Sequence, residues 1–410
     1  MADVASKQRI LILSHAYYPM PVGGAEVAIK EITDRIDPQE YEFHLICNGF
    51  NANLPKEEQM GNVRVHRIGL TKPDPTPEKL ATFPLSLNKP LYQFLAWRTA
   101  CKLHKQLHFD GLWAMMAHSA GVPAALFAGG HKRVPYLLTL QEGDPLPKIE
   151  KQMRPVWPWF TRAFTRARHV QAISSYLAAW ARARGAACPM SVVPNGVDVA
   201  RFSAPLPPEE RERIRTDVWQ GKPGSVWLIT TSRLVHKNGI DTVIDAMKDL
   251  PQGVCFAVVG DGPLRQQLHD RALKYGLGPR VRLLGNVPHA ALPKYVQAAD
   301  IFIRPSRSEG MGNSFIEAMA AGVPVIGTQE GGIADFLFDE VQNPDKPTTG
   351  FAVPKDEPAM IVRRVKYIIE NPDIVAGITK TAREMVERSY DWNHVAARMH
   401  DEVFAKVFAR

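Results

Sequence analysis

Apolar residues fall along the chain in short, nearly uninterrupted runs, each followed by a stretch with helical spacing. The runs predict strands at Arg9–Ser14, Phe43–Asn48, Val63–Ile68, Gly111–Met116, Tyr136–Leu140, Val170–Ser174 and Ser191–Pro194. A second series follows at Val226–Thr231, Cys255–Gly260, Val281–Leu284, Ile301–Pro305, Val323–Gly327 and Gly350–Val353. Most are apolar at almost every position, as strands covered on both faces must be. A strand–helix alternation of this kind builds parallel sheets with right-handed crossovers. Two series in one chain predict an α/β protein with two doubly wound parallel sheets, and ligands at the carboxyl ends of their strands, in a cleft between the two domains.

The chain has 410 residues, enough for two domains of ordinary size. The boundary is expected after the sequence PNGVD, Pro194–Asp198, because the following FSAPLPP, Phe202–Pro208, is proline-rich and reads as linker. The expected parts are 1–198, 199–388 and 389–410, with a terminal helix near Asn393–Phe408. Apolar residues at 45% and charged residues at 22% suit a soluble globular protein, and no run of 18 apolar residues predicts a spanning helix. The opening MADVASKQRILILS lacks the charged-then-apolar order of a secretion leader. Cys47, Cys101, Cys188 and Cys255 make no CxxC pair and no metal spacing, which fits a reducing cytoplasm.

The net charge of +8 is uneven. Residues 1–200 hold 23 Lys and Arg against 16 Asp and Glu, and the remainder 27 against 26. The first half therefore suits an anionic partner: a phospholipid surface, a lipid-phosphate acceptor or nucleic acid.

Three glycine loops follow predicted strands. Gly23 and Gly24 precede a helix expected from about Ala25, where backbone amides can approach a phosphate or an acceptor, although an ordinary turn would look the same. Gly260-Asp261-Gly262 repeats the plan, with Pro263 at a helix start. In TTSRLVHKNGID, Thr230–Asp241, Arg233 and Lys237 stand at a strand end before Gly239, a placement that suits a pyrophosphate or a solvated pair.

The stretch SRSEGMGNSFIEAMAAGVPVIGT, Ser306–Thr328, puts Glu309 on the loop Gly310-Met311-Gly312 and Glu317 in the first turn of a helix capped by Asn313 or Ser314. Ser314 and Glu317 also fit a capping box, which would make Glu317 structural. In the functional alternative, amides from Gly312 to Phe315 hold a phosphate, Glu317 binds ribose hydroxyls and Glu309 the transferred sugar.

The Glu309–Glu317 pair with AMAAGVPVIGT resembles the retaining glycosyltransferases of family 4, which have the GT-B fold of two Rossmann-like domains. GGAE (Gly23–Glu26), PNGVD, SRLVHKNG (Ser232–Gly239), VVGDGPL (Val258–Leu264) and SYDWNHVAARM (Ser389–Met399) follow in the expected order. The resemblance implies transfer of a sugar from a nucleotide diphosphate donor, UDP-sugar or GDP-mannose, to an acceptor hydroxyl, with retention and with the last helix crossing back to the first domain. It implies sugar contacts from Glu309 and from His118 near the reacting carbon, ribose contact from Glu317, base reading by the backbone near Val287, and Gly24 near phosphates and acceptor. No Asp-x-Asp motif occurs, Glu142-Gly143-Asp144 being the nearest, so no metal is expected and Arg233, Lys237 and loop amides must neutralise the leaving diphosphate. Two positions depart from the pattern: Asn238 stands where the family carries a lysine before the glycine, and Gln141 where many members carry histidine.

The segment Lys148–His169 mixes Lys148, Lys151, Arg154, Arg162, Arg166 and Arg168 with Trp157, Trp159, Phe160 and Phe164. It reads as a basic amphipathic element for an anionic membrane, or as a helix with its aromatics packed inward. Relatives that glycosylate lipid-linked acceptors make a peripheral site on the inner face of the membrane the expectation, with glycan or lipid-linked acceptors and no nucleic acid. The competing functions are a nucleotide-sugar epimerase, a phosphorylase and a non-catalytic nucleotide-sugar binder. Dinucleotide oxidoreduction is disfavoured because no G-x-G-x-x-G follows the first strand.

Overall fold

The computed structural model describes residues 7–19, 23–219 and 226–408. The expected leader-free N-terminus thus lies partly outside the described residues, at 1–6. The chain forms two compact units: one holds 1–142, 146–195 and 392–410, the other 143–145 and 196–391.

The first unit is built on eight strands: β1 (Gln8–Leu13), β2 (Tyr41–Asn48), β3 (Glu57–Met60), β4 (Val63–Ile68), β5 (Gly111–Met115), β6 (Tyr136–Leu140), β7 (His169–Ala172) and β8 (Met190–Val192). Their order is β3-β4-β2-β1-β5-β6-β7-β8, and every pairing is parallel except β3 with β4. Ile10, Leu11, Ile12 and Leu13 are all fully buried, which is why β1 tolerates apolar side chains on both faces. β3 escaped the sequence reading because its residues are EEQM: it is an exposed antiparallel edge with no apolar alternation to mark it. Its helices are α1 (Gly24–Thr33), α2 (Asn88–Leu107), α3 (Val122–Gly130), α4 (Leu146–Met153), α5 (Trp157–Thr165) and α6 (Ser175–Ala183).

The second unit begins with α7 (Val199–Ser203) and α8 (Pro208–Trp219). The expected linker at Phe202–Pro208 is therefore too long. Asp198 caps α7 through the Arg201 amide at 3.1 Å, and Phe202 is buried, so only 204–207 is free of helix. The sheet holds β9 (Val226–Thr231), β10 (Val254–Val259), β11 (Val281–Gly285), β12 (Ile301–Arg304), β13 (Val325–Gly327) and β14 (Phe351–Ala352), all parallel, in the order β11-β10-β9-β12-β13-β14. α9 (Ile240–Ala246), α10 (Arg265–Lys274), α11 (Leu292–Ala298) and α12 (Asn313–Ala320) alternate with these strands. α10 starts two residues after Pro263, so that proline sits in the turn before the helix and not at its first position. The core of this unit gathers Leu228, Phe256, Ile303 and Ile326 from the strands with Ile240 and Val243 from α9.

The terminal stretch from Trp392 belongs to the first unit, where Trp392, Val395, Phe404 and Phe408 join the core around β1, β2 and α1.

The loops that leave β9 and β12 touch backbone to backbone. Gly239 has φ +66, and a Cβ there would lie 2.1 Å from the Pro305 carbonyl oxygen. Gly276 has almost the same φ, +68, with nothing within 4 Å. The pair separates backbone strain from close approach. Gly276→Ala should lose roughly 1 kcal/mol, the cost of a left-handed alanine, whereas Gly239→Ala should lose about 3 kcal/mol or more through displaced loops. Chemical denaturation of the two variants measures the difference.

Candidate functional site

In the second unit the chain leaves β9 on one side for β10 and on the other side for β12, so the crevice at their carboxyl ends is the switch point where open α/β sheets bind ligands. The loop after β9 presents Arg233 exposed to solvent, and among the described residues its guanidinium has no acceptor. The loop is held from beneath. Asn238 is buried and donates its Nδ2 to the Arg233 carbonyl at 2.7 Å, which is what this residue does in place of a lysine. Arg307, on the loop after β12, gives its amide to the Lys237 carbonyl at 2.7 Å and grips both oxygens of Asp241 at 2.9 Å. Gly260 and Gly262 pack against the backbone of Ser232 and Leu234, where a Cβ would come within 2.0 and 2.6 Å, so this loop is shaped by close backbone approach.

Three charged groups meet at that edge. Glu309 is nearly buried, with Oε2 3.0 Å from the Arg304 guanidinium, Oε1 3.6 Å from the Lys237 ammonium, and Oε1 accepting the Gly310 amide at 3.2 Å. Arg304 ends β12; it is buried, lies over the Phe315 ring at 4.8 Å, and burial lowers its pKa against the pull of Glu309 and Glu317. Lys237 also donates to the Gly143 carbonyl at 2.5 Å. Burial lowers its pKa too; Glu309 opposes that, and Arg304 and Arg233 add to it.

The entry into α12 differs from expectation. Gly312, at φ +102, is the N-cap, and no side chain caps the helix. A positive φ turns the chain into the helix directly, which leaves no place for an Asn313 or Ser314 cap. Ser314 Oγ is buried without a hydrogen-bond partner, so the capping box with Glu317 does not form. Glu317 falls in the second turn, not the first, and its Oε1 lies 3.7 Å from His289 Nε2. The Phe315 amide is taken by the Gly312 carbonyl at 3.0 Å, while those of Gly312 and Ser314 have no acceptor among the described residues. Gly310 and Met311 are buried beneath the turn, and Asn313 is half-buried. Val287 is half-buried in the irregular stretch after β11, at the sheet edge.

The first unit has its own switch point, between β1 and β5. Gly23 is the N-cap of α1, one residue earlier than expected, and its amide donates to Glu26 Oε2 at 2.7 Å. Gly23 and Gly24 are exposed. Burial raises the pKa of Glu26, although its bonds to backbone amides oppose this. Past β5, His118 sits in a π-helical turn, with Nδ1 3.3 Å from Oε1 of the buried Glu142. That carboxylate also accepts the amides of Ala117 at 2.6 Å and Gln141 at 3.0 Å. Burial, with Lys89 and His118 adding, holds His15 down at about 4, so a neutral ring stands near His118 at neutral pH. Gln141 exchanges two amide bonds with Asn195 of PNGVD, at 2.9 and 3.0 Å.

In the Lys148–His169 segment the aromatics divide. Phe160 and Phe164 are fully buried against Trp180, and Trp157 is covered by Arg184 at 4.9 Å, which leaves Trp159 exposed among Lys148, Lys151, Arg154 and Arg162.

Sequence reasoning missed two positioning residues. Arg304 was hidden inside a strand pattern, and Glu142 meets His118 only because β5 and β6 are neighbours.

The Arg304–Glu309 pair makes a direct prediction. Arg304→Met strands Glu309 and should cost about 3 kcal/mol of stability, the typical penalty for breaking a buried pair. Adding Glu309→Gln should recover at least about 1 kcal/mol in a double-mutant cycle measured by denaturation.

Residues 217–392 match the model of glycosyl transferases group 1, and residues 22–201 that of glycosyltransferase family 4. A 2-deoxystreptamine N-acetyl-D-glucosaminyltransferase of Streptomyces fradiae is 30% identical over 83% of this chain and 81% of its own length. A GDP-mannose-dependent alpha-(1-6)-phosphatidylinositol monomannoside mannosyltransferase of Mycobacterium tuberculosis is 30% identical over 59% of this chain and 60% of its own. Among solved structures, sucrose-phosphate synthase from Thermosynechococcus elongatus superposes with a TM-score of 0.79 at 20% identity, over 98% of this chain and 100% of that one, a likeness of fold. Two α/β units on largely parallel sheets and these matches together make the chain a glycosyltransferase of family 4, with the GT-B fold.

Proposed function

We propose that the enzyme is a retaining, metal-independent glycosyltransferase. It would move a sugar from a UDP- or GDP-linked donor to a hydroxyl of a lipid-linked or polysaccharide acceptor, in cell-envelope glycan synthesis at the inner membrane face. The carrying observation is the charge arrangement at the β9–β12 switch point, where Lys237 and Arg304 flank Glu309 on the loop into α12 and the exposed Arg233, close enough to Lys237 to act on its charge, leaves β9. Departure of a nucleoside diphosphate deposits negative charge there, and fixed cations with helix-start amides stabilise it without rearranging. Arg233 is the group proposed to meet the diphosphate. Lys237 is committed to Glu309 and the Gly143 carbonyl, which fits a role in setting the carboxylate.

Glu309 then faces the transferred sugar through its hydroxyls, Glu317 binds the ribose, and the backbone near Val287 reads the base. His118, oriented by Glu142, contacts the sugar close to the reacting carbon, and Gly23 and Gly24 lie toward phosphate and acceptor. Support for a lipid-linked acceptor comes from the basic first half of the chain and from the phosphatidylinositol mannoside named for the mycobacterial relative. The exposed cations around Trp159 support a membrane contact for Lys148–His169. Among the described residues no helix is long and apolar enough to cross a membrane.

The tests use transfer assays with the donor chosen by a thermal-shift screen of nucleotide sugars. Arg233→Ala should lower turnover by about 10²–10³, the usual loss when one preorganised charge is removed. Glu309→Gln should do the same while keeping the fold. The alanine variant is less clean, because it leaves Arg304 buried without its acceptor. Activity should survive EDTA, and the donor should stay intact without an acceptor. Near-normal transfer by both variants, or sugar isomerisation with no acceptor present, would refute the assignment.

A further inference from the structure

Among the described residues, four of the large apolar side chains that the first unit leaves exposed fall close together in sequence, while Trp159, Tyr176 and Val192 lie apart from them. Phe83 is 77% exposed, Leu87 41%, Leu91 38% and Phe94 53%. Leu91 and Phe94 lie on α2, with Leu87 just before it. At 100° per residue Leu87, Leu91 and Phe94 share one stripe, and the same stripe continues through Arg98, Lys102 and Lys105, all exposed. Tyr92, Ala96, Ala100 and Leu103 form the opposite, buried side. A single solvent-facing line thus runs from apolar to cationic along the helix.

Charge decides what such a line fits. The 20 residues of α2 carry Lys89, Arg98, Lys102 and Lys105 and no carboxylate. Lys72 and Lys79 are exposed nearby, and the neighbouring Asp74 is occupied by Asn51 and Asn53. A second copy of the chain would bring the same cations and no acid along this helix. A bilayer with anionic headgroups meets both halves: acyl boundary for the apolar end, phosphates for the cationic end. α2 packs on α3, and α3 on α5, so the exposed cations of Lys148–His169 belong to the same layer of this unit.

We infer that the α2 stripe, Leu87 to Lys105, together with the exposed Phe83 that precedes it, is a docking surface for an anionic lipid bilayer. The apolar end enters the headgroup–acyl boundary, and Arg98, Lys102 and Lys105 rest on lipid phosphates. This assigns the membrane contact mainly to α2, whose apolar groups are exposed, with the Lys148–His169 cations in support. It stands apart from the transfer chemistry and survives or fails without it.

The test is co-sedimentation of the full chain with phosphatidylcholine vesicles, with or without phosphatidylglycerol, at low and high salt. Wild type should sediment with the anionic vesicles at low salt. Leu91→Glu with Phe94→Glu should weaken this by about tenfold or more at every salt concentration. Arg98→Glu with Lys102→Glu should weaken it mainly at low salt, where screening is least. All these side chains are exposed, and circular dichroism and melting temperature verify that the variants fold. The proposal is overturned by no sedimentation of wild type with anionic vesicles, by unchanged sedimentation of the Leu91/Phe94 variant, or by a dimer that this variant dissociates while vesicles are ignored. Loss on Arg154→Glu with Arg162→Glu but not on the α2 changes also overturns it.

Discussion

A carboxylate held between two largely desolvated cations is the interaction on which the second unit depends. Glu309 sits 3.0 Å from Arg304 and 3.6 Å from Lys237, at the carboxyl edge of β12 and β9. Burying Arg304 is costly, and Glu309 offsets that cost only in this geometry. The loop carrying Glu309 is therefore not free to move without exposing an unpaired charge. The same loop leads, through Gly312, straight into α12, so the pair also fixes where the helix start points.

The local charge is the second consequence. Lys237 feels Glu309 and Asp144 as well as Arg304 and Arg233, and Arg304 feels Glu309 and Glu317, so cations and carboxylates interleave at this edge beside the positive start of α12. Arg233 is the exposed member, and its backbone is pinned by the buried Asn238. A position that departs from the family's usual lysine is thus put to structural use. The first unit follows the same rule at a smaller scale: buried Glu142 takes two amides and His118, and fixes a turn that Met116 enters at φ +66.

Much of this could be read in the residues because buried parallel strands need apolar side chains at nearly every position. All 13 expected strands exist, with ends moved by a residue or two; Val63–Ile68, Tyr136–Leu140 and Val226–Thr231 coincide residue for residue. What could not be read lacks a local signature. β3 pairs through its backbone with a polar sequence, so period-two hydrophobicity never marks it. Phe202 was lost because the prolines after it resemble a linker, although Asp198 signals a cap. Ser314 and Glu317 have the spacing of a capping box, but Gly312 with its positive φ starts the helix and leaves the box unmade. Arg304 and Glu309 are five residues apart around an irregular turn, a separation that no periodic pattern reveals.

The most direct measurement is a crystal structure of the chain soaked with UDP or GDP. The diphosphate should lie at the carboxyl edge of β9 and β12, against Arg233 and the amides of Gly312 and Ser314, with the ribose on Glu317. A nucleotide bound elsewhere, away from the 309–317 turn, would contradict the view that fixed cations and helix-start amides at this edge receive the leaving group.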